Sequence, residues 1–353
     1  MHDSSYGQRS SFVNPSKGNA PTGPGGDKRW GIILAGGDGS RLLSLTRKIA
    51  GDDRPKQFCP IINGETLLDE TRRRVALALS PERTIYVLTQ KHERYYNKTL
   101  NGVPHENLIV QPKNAGTAPA ILYSLLRLQK IDPKATAAFF PSDHYFSDDR
   151  AFMAEVNLAF TAASRQPDRV ILLGIEPESP DEEYGWIEPE RELSETPAAD
   201  LRRVRRFWEK PSSTLARELM KRGCLWNSFV MVGTVSAFLK MIRLSTNELY
   251  TKFADIRSEL STAAEKRAIR TLYDDLTDTN FSSEVLQARP GDLAVRPVGR
   301  LKWSDLGSPN RVFATLSSLG GVSLIKHGPA AAQLMKLPEG HYGPARVRSS
   351  EII

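Results

Sequence analysis

Short apolar runs separated by stretches of helical period constrain this 353-residue chain more than any other feature. Gly31–Ala35, Thr84–Thr89, Asn107–Gln111, Ala135–Phe140 and Arg169–Ile175 have the length and composition of buried strands. Between them, Thr66–Leu79, Ala118–Gln129 and Asp149–Ala163 read as helices. In the first helix Leu68, Val75 and Leu79 share a face, Arg72 borders it, and Arg73 and Arg74 point away. This alternation predicts an α/β fold: a mostly parallel mixed sheet with helices on both faces. After Ile175 come three further strand-like segments, Tyr184–Glu188, Leu201–Glu209 and Leu225–Val232, then a helical stretch from about Val235 to Leu276. This half is expected to complete the same sheet and cover the site.

Residues 1–29 are rich in Gly, Ser, Pro and Asn and are expected to form a disordered tail. Residues 30–316 then make one domain, and 317–353 a short C-terminal extension. The two cysteines, Cys59 and Cys224, stand far apart and form no disulfide framework, which suits the cytoplasm. No apolar run approaches the ~18 residues of a membrane span. No secretory signal opens the chain. The formal net charge of +7 fits an enzyme of anionic substrates.

The loop Gly36-Gly37-Asp38-Gly39-Ser40-Arg41-Leu42 follows the first apolar run, at a strand's carboxyl end, where ligands of open α/β sheets bind. Its glycines let the backbone approach a ligand closely, and Arg41 adds a forked cation for phosphate oxygens. Lys56, in Arg54-Pro55-Lys56-Gln57, supplies a second cation. No Lys-Ser or Lys-Thr follows the glycines, so the loop is not a P-loop. Leu42 stands where a dinucleotide fingerprint needs glycine.

Asp143 follows another strand through Pro141-Ser142 and faces the same crevice if the strands run parallel. One carboxylate there suits Mg²⁺, or caps a following helix or turn. The six histidines show no H-x-x-x-H spacing, so zinc at neighbouring His144 is not expected. Asp305, between Trp303 and Gly307, either completes the metal site or shapes a turn. Glu209-Lys210 ends a strand and could bind a sugar hydroxyl and a phosphate, or form a solvated ion pair. Tyr184-Gly185-Trp186 and Trp226-Asn227-Ser228 offer aromatic faces, a close-approach glycine and an amide. Gln111 opens a loop that enters a helix at Gly116-Thr117, with Thr117 the expected N-cap.

In this order the motifs resemble the sugar-1-phosphate nucleotidyltransferases, and most closely the mannose-1-phosphate guanylyltransferases. The matching pieces are Gly36-Gly37-x-Gly39-x-Arg41-Leu42, Pro55-Lys56-Gln57-Phe58, Gly116-Thr117-Ala118-Pro119-Ala120, Pro141-Ser142-Asp143-His144, Tyr184-Gly185-Trp186-Ile187, Glu209-Lys210-Pro211, Trp226-Asn227-Ser228 and Trp303-x-Asp305-x-Gly307. The resemblance implies a Rossmann-like, GT-A-like core converting GTP and a sugar 1-phosphate to a GDP-sugar and pyrophosphate. It implies that Gly36, Gly37, Gly39 and Arg41 wrap the triphosphate, and that Arg41 and Lys56 neutralise charge near the α-phosphate. It further implies that Asp143 and Asp305 hold Mg²⁺. Gln111, Gly116 and Thr117 would lie near guanine, while Gly185, Glu209, Lys210 and Asn227 would hold the sugar phosphate.

The chain departs from that pattern at three places. Ser44 replaces a proline, the segment Lys48 to Arg54 is a few residues longer, and Phe229 follows Asn227-Ser228 where glycine is common. The C-terminus is expected to lack the isomerase cupin of bifunctional relatives and the hexapeptide-repeat helix of others. The rival within the class is another hexose or heptose 1-phosphate nucleotidyltransferase. A catalytically silent sensor of sugar nucleotides would not need Arg41, Lys56, Asp143 and Asp305 together. The run Arg72-Arg73-Arg74 lies mostly on the solvent side of an amphipathic helix, and Arg202-Arg203-Val204-Arg205-Arg206 has aromatics too sparse for a stacking platform, so no nucleic acid is expected as partner, and no membrane. A homo-oligomer is compatible with the sequence.

Overall fold

A computed structural model describes residues 28–190 and 201–319. Residues 1–27 of the expected N-terminal tail and most of the C-terminal extension lie outside those residues, while Arg29, expected to end the tail, already belongs to the first strand.

The first half runs β1 (Arg29–Leu34), α1 (Leu43–Ala50), α2 (Leu67–Val75), β2 (Thr84–Thr89), α3 (Glu93–Thr99), β3 (Leu108–Gln111), α4 (Thr117–Ile131) and β4 (Thr136–Pro141). A short β5 (Tyr145–Phe146), α5 (Asp149–Arg165) and β6 (Val170–Ile175) follow. The second half is β7 (Gly185–Pro189), β8 (Arg202–Glu209), α6 (Ser213–Lys221), β9 (Leu225–Thr234), α7 (Val235–Ser245), α8 (Asn247–Asp255), α9 (Glu265–Asp274), β10 (Leu293–Val298), β11 (Trp303–Ser304) and α10 (Pro309–Ser318).

Nine strands form one sheet in the order β3-β2-β1-β4-β9-β6-β10-β8-β7. Strands β3, β2, β1 and β4 pair in parallel, as do β6 and β10. Strands β8 and β9 run against all of their neighbours. The sheet is therefore mixed, with most strands in one direction, as the alternating pattern predicted.

Side-chain alternation divides β1 between two cores. Trp30 and Ile32 join the face packed by α4, α7, α8 and α9. Ile33 and Ala35 join the face packed by α2, α3, α5 and α6. Both faces are thus covered, which is why these strands read as continuous apolar runs rather than alternating ones. A third, smaller core seats α10 against α1 through Leu42, Leu45, Cys59, Leu306 and Val312. That satellite core brings the far end of the chain beside the Gly-rich loop. No helix among the described residues is long and apolar enough to cross a membrane.

Four local expectations are corrected. Arg74 does not point away from the core: its side chain is only 3% exposed. It donates to Asp149 at 2.5 Å and lies over the Phe146 ring, because α2 packs against the start of α5. The Val235–Leu276 stretch is three helices, since Thr246 leaves the helical region between α7 and α8. Asp143 does not cap a helix, and Asp148 caps α5 instead, accepting from the amides of Arg150 and Ala151. Nor is Thr117 an N-cap. Gly116 holds that position and Thr117 is already helical, its hydroxyl accepting from the Phe281 amide at 2.8 Å.

Candidate active site

The carboxyl ends of the parallel strands β1 and β4 open onto a cavity of about 320 Å³. Gly36 and Gly37 form one wall, and Ser142, Asp143 and His144 another. Gln111, Gly116 and Thr117 line the third, and Phe229 and Asn280 complete the lining. The sequence-derived nucleotide residues Gly36, Gly37, Gln111, Gly116 and Thr117 therefore share one cavity with Asp143.

Buried side chains fix the loop backbone. Gln57 donates to the carbonyls of Ala35 and Gly37 at 3.1 and 2.7 Å. Thr89 donates to the Gly36 carbonyl at 2.8 Å. Gly39 turns the chain in the left-handed region, with φ 60°, so close to Lys56 that a Cβ would sit 3.1 Å from its amide nitrogen. The loop is shaped before any ligand arrives. Gln111 is similarly oriented, its amide nitrogen donating to Leu88 at 3.3 Å and its oxygen accepting from Tyr273 at 2.9 Å. One N–H and one lone pair remain for a ligand.

Gly116 is the tightest point of the wall. Its φ of 89° and ψ of 177° belong to a region open essentially to glycine alone. A Cβ there would also meet Asp278 Oδ1 at 2.6 Å and the Thr279 amide nitrogen at 2.7 Å. Segment 278–281 is stitched to this wall by Ala118 donating to Thr279 and Thr279 donating to Ala115. Gly116→Ala is expected to destabilise the fold by about 1–3 kcal/mol from backbone strain alone. Urea titration would register this as a lower midpoint, and an unchanged midpoint would contradict the geometry.

Lys56 joins the two aspartates. Its ammonium donates to the main-chain carbonyls of Asp305 and Leu306 at 2.5 and 3.2 Å and lies 3.3 Å from Asp143 Oδ2. Asp305 Oδ1 accepts from the Gly307 amide at 2.9 Å, so the turn role holds. The same carboxylate accepts from Tyr184 at 3.2 Å, and Arg311 donates to both its oxygens at 3.1 and 3.2 Å. Burial pushes its carboxyl up, but Arg311 first, then Lys56 and His144, more than offset this and leave it below the usual carboxylate range. Burial also lowers His144 to about 4, with Asp143 opposing the shift. His144 is therefore neutral at pH 7. Trp303 donates to its Nδ1 at 3.3 Å, which leaves the proton on Nε2, 3.9 Å from Asp143 Oδ1.

These residues fit a hard divalent cation that keeps most of its ligands from substrate and water. Among the described residues no N–H or O–H donates to the Asp143 carboxylate, which leaves its lone pairs open beside the ion-paired Lys56. Asp305 is less free. Its Oδ2 takes only one bond, from Arg311, while Oδ1 is saturated.

A second group lies across the strands. In the β7–β8 ladder Gly185 pairs with Glu209. A Cβ on Gly185 would lie 3.1 Å from Glu209 Oε2 and 3.3 Å from Asn227 Cβ, so these three converge. Burial raises the Glu209 carboxyl, against the pull of Lys210. Among the described residues, four non-glycines adopt positive φ: Lys210, Phe229, Ser261 and Leu306. Lys210 is itself an expected site residue, Leu306 follows Asp305 and Phe229 stands two residues after Asn227, which is where backbone strain concentrates.

Arg41 stands apart from the cavity wall. Its side chain is 58% exposed and pairs with Glu183 at 3.2 Å. Sequence reasoning missed Arg311, Asp181 and Glu183. Arg311 binds both oxygens of Asp181 at 2.8 and 2.7 Å, contacts Glu183 at 3.2 Å and lies over the Tyr184 ring. The Ser308-Pro309 pair, an N-cap followed by proline at N1, is the signal that announces its helix.

The glycine loop at one strand end and the carboxylate at the next flank the crevice where open α/β sheets bind their ligands. The chain matches the nucleotidyl transferase family over residues 30–319 and belongs to that family. It is 28% identical over 284 residues to the xanthan biosynthesis protein XanB of Xanthomonas campestris pv. campestris, covering 78% of this chain and 57% of that protein. It is 29% identical over 304 residues to mannose-1-phosphate guanylyltransferase 2 of Escherichia coli O157:H7, covering 78% of this chain and 58% of that one. The chain thus spans little more than half the length of these relatives. A crystal structure described as mannose-1-phosphate geranyltransferase from Thermus thermophilus superposes with a TM-score of 0.70. It is 27% identical, covering 81% of this chain and 79% of that one.

Proposed function

We propose that the chain transfers the guanylyl group of GTP to mannose 1-phosphate, giving GDP-mannose and pyrophosphate. The observation that carries this reading is the meeting of Lys56, Asp143 and the Asp305 loop at the edge of a cavity walled by Gly36 and Gly37. A phosphate oxygen of the sugar phosphate attacks the α-phosphorus of GTP, and the bond to pyrophosphate breaks. The attacking oxygen is already ionised at neutral pH, so positioning and charge neutralisation suffice without a general base. Lys56 stands beside the reacting phosphorus and stabilises the charge that builds on its oxygens. Arg41 exchanges Glu183 for the triphosphate. Gln111, Gly116 and Thr117 face the base. Gly185, Glu209, Lys210 and Asn227 hold the sugar phosphate, with the Glu209 carboxyl accepting from sugar hydroxyls. Asp143 would hold Mg²⁺, with Asp305 Oδ2 joining if Arg311 yields one bond. When bound, the ion would neutralise phosphate charge and align the oxygens. Both cysteines are buried and unpaired, which suits a cytoplasmic setting.

Pyrophosphate release tests the reading when GTP, ATP, UTP and dTTP are each paired with mannose 1-phosphate and glucose 1-phosphate. GTP with mannose 1-phosphate is expected to give the highest kcat/KM. A preference for another nucleotide would overturn the guanylyl assignment. Preference for another sugar phosphate would favour the hexose or heptose rival.

A further inference from the structure

We propose that Phe229 selects the sugar 1-phosphate, an inference that rests on the nucleotidyl-transfer reading of the cleft. Strand β9 is buried along its interior except at Phe229. Its pairing with β6 slips there: Leu172 faces Met231, yet Gly174 faces Asn227, so residues 228–230 form a bulge. Phe229 is at the tip of that bulge with φ 59°. Aromatic residues reach this left-handed region only at a cost, and bulges that need it usually carry glycine.

The bulge is tied down on both sides of the ring. Phe229 N–H donates to Asn227 Oδ1 at 3.1 Å. Ser228, fully buried, donates to the Leu173 carbonyl at 2.6 Å and accepts from the Val230 amide. Phe281 meets the ring edge-on, with centroids 6.4 Å apart. The strained turn thus aims one large apolar group into the cavity that also holds Asp143, Gly116 and Asn280. Asn227, just before the bulge, converges on Gly185, as does Glu209. Phe229 stands at the seam between the nucleotide wall and the sugar-phosphate residues.

A pyranose 1-phosphate presents one apolar C–H face and a rim of hydroxyls whose directions distinguish one sugar from another. An aromatic ring fixed at the seam accepts the apolar face and rejects epimers or larger sugars that push a hydroxyl or carbon into it. Phe229 shares its cavity with Gln111, Gly116 and Thr117 while its amide is bonded to Asn227, so the ring stands where the sugar and the nucleoside would meet.

The variants Phe229→Gly and Phe229→Asn both tolerate the left-handed turn and remove the ring, while Phe229→Tyr keeps it. For each, kcat/KM is measured with mannose, glucose, galactose and heptose 1-phosphates at saturating nucleotide. Dissociation constants for the same sugar phosphates are measured by calorimetry. Loss of the ring is expected to shrink the ratio between best and second-best sugar by about tenfold or more. Phe229→Tyr is expected to keep that ratio. Equal losses for every sugar, or an unchanged ratio, would overturn the proposal. If the best pair is not GTP with mannose 1-phosphate, the functional reading falls, but the ratio still judges Phe229 with whichever pair turns over. If nothing turns over, equal dissociation constants with and without the ring would overturn it.

Discussion

Asp143→Asn is expected to lower kcat for nucleotidyl transfer by about 10²- to 10³-fold while leaving the protein folded. Asparagine keeps the shape of the side chain and one carbonyl oxygen but loses the charge that a divalent cation and Lys56 both require. The fold should tolerate the change. Among the described residues Asp143 pairs with Lys56 and lies near neutral His144, and the Lys56 ammonium keeps its two carbonyl acceptors on Asp305 and Leu306. The stability cost is therefore about 1 kcal/mol, and the two effects separate cleanly. Steady-state pyrophosphate release and thermal unfolding on the same preparation check both. Undiminished turnover in a well-folded variant would remove Asp143 from the reaction.

Arg311→Met should act oppositely, chiefly on stability. The guanidinium is 15% exposed and holds Asp181 and Asp305 together while touching Glu183. Its removal leaves partly buried carboxylates facing one another, at a cost of about 3 kcal/mol. The cost should depend on pH in a defined sense. Burial pushes the Asp305 carboxyl up, and Arg311 is the strongest of the influences that nevertheless hold it below its usual value of 3.8. A depressed carboxyl contributes stability above its unfolded pKa, and that stability is lost as pH falls through the folded value. Without Arg311 the Asp305 carboxyl rises, so protonation relieves the variant before it affects the wild type. The gap between wild type and Arg311→Met, read by urea unfolding, should narrow as pH falls from neutrality toward the usual carboxylate value of 3.8. A gap that stays constant over that interval would show that the Asp305 contact does not carry the effect.

The parts of this architecture that depend on neighbouring residues were legible in the sequence. Strands β1, β2, β4 and β6 are flanked by helices on both faces, so their interiors are apolar and their bounds could be read within a residue or two. Gly36, Gly37, Asp143, Gly116 and Thr117 followed because each stands just past a strand or at a helix start. Strand β10 was hidden by Pro297, which argues against a central strand. The ladder shows why the proline is tolerated: β8 pairs only with Ala294 and Val295, so at Pro297 one edge is unpaired. The Arg311 cluster was invisible for a different reason. Its partner Asp181 is 130 residues away, and the two meet only because the satellite core folds α10 back over the loop before β7. Arg74 misled because helical period alone cannot see Asp149 on the neighbouring helix. Phe229 could be marked as a departure, but its left-handed bulge arises from pairing across β6 and β9.

The central claim is that this cleft joins a nucleotide to a sugar phosphate by attack at the α-phosphorus. Phosphorus NMR of the wild-type protein with GTP, mannose 1-phosphate and Mg²⁺ tests it most directly. The account predicts that the mannose 1-phosphate resonance disappears as the coupled pair of a sugar diphosphonucleoside and the pyrophosphate signal grow in equal amounts. Accumulation of GDP and inorganic phosphate, with mannose 1-phosphate untouched, would contradict it.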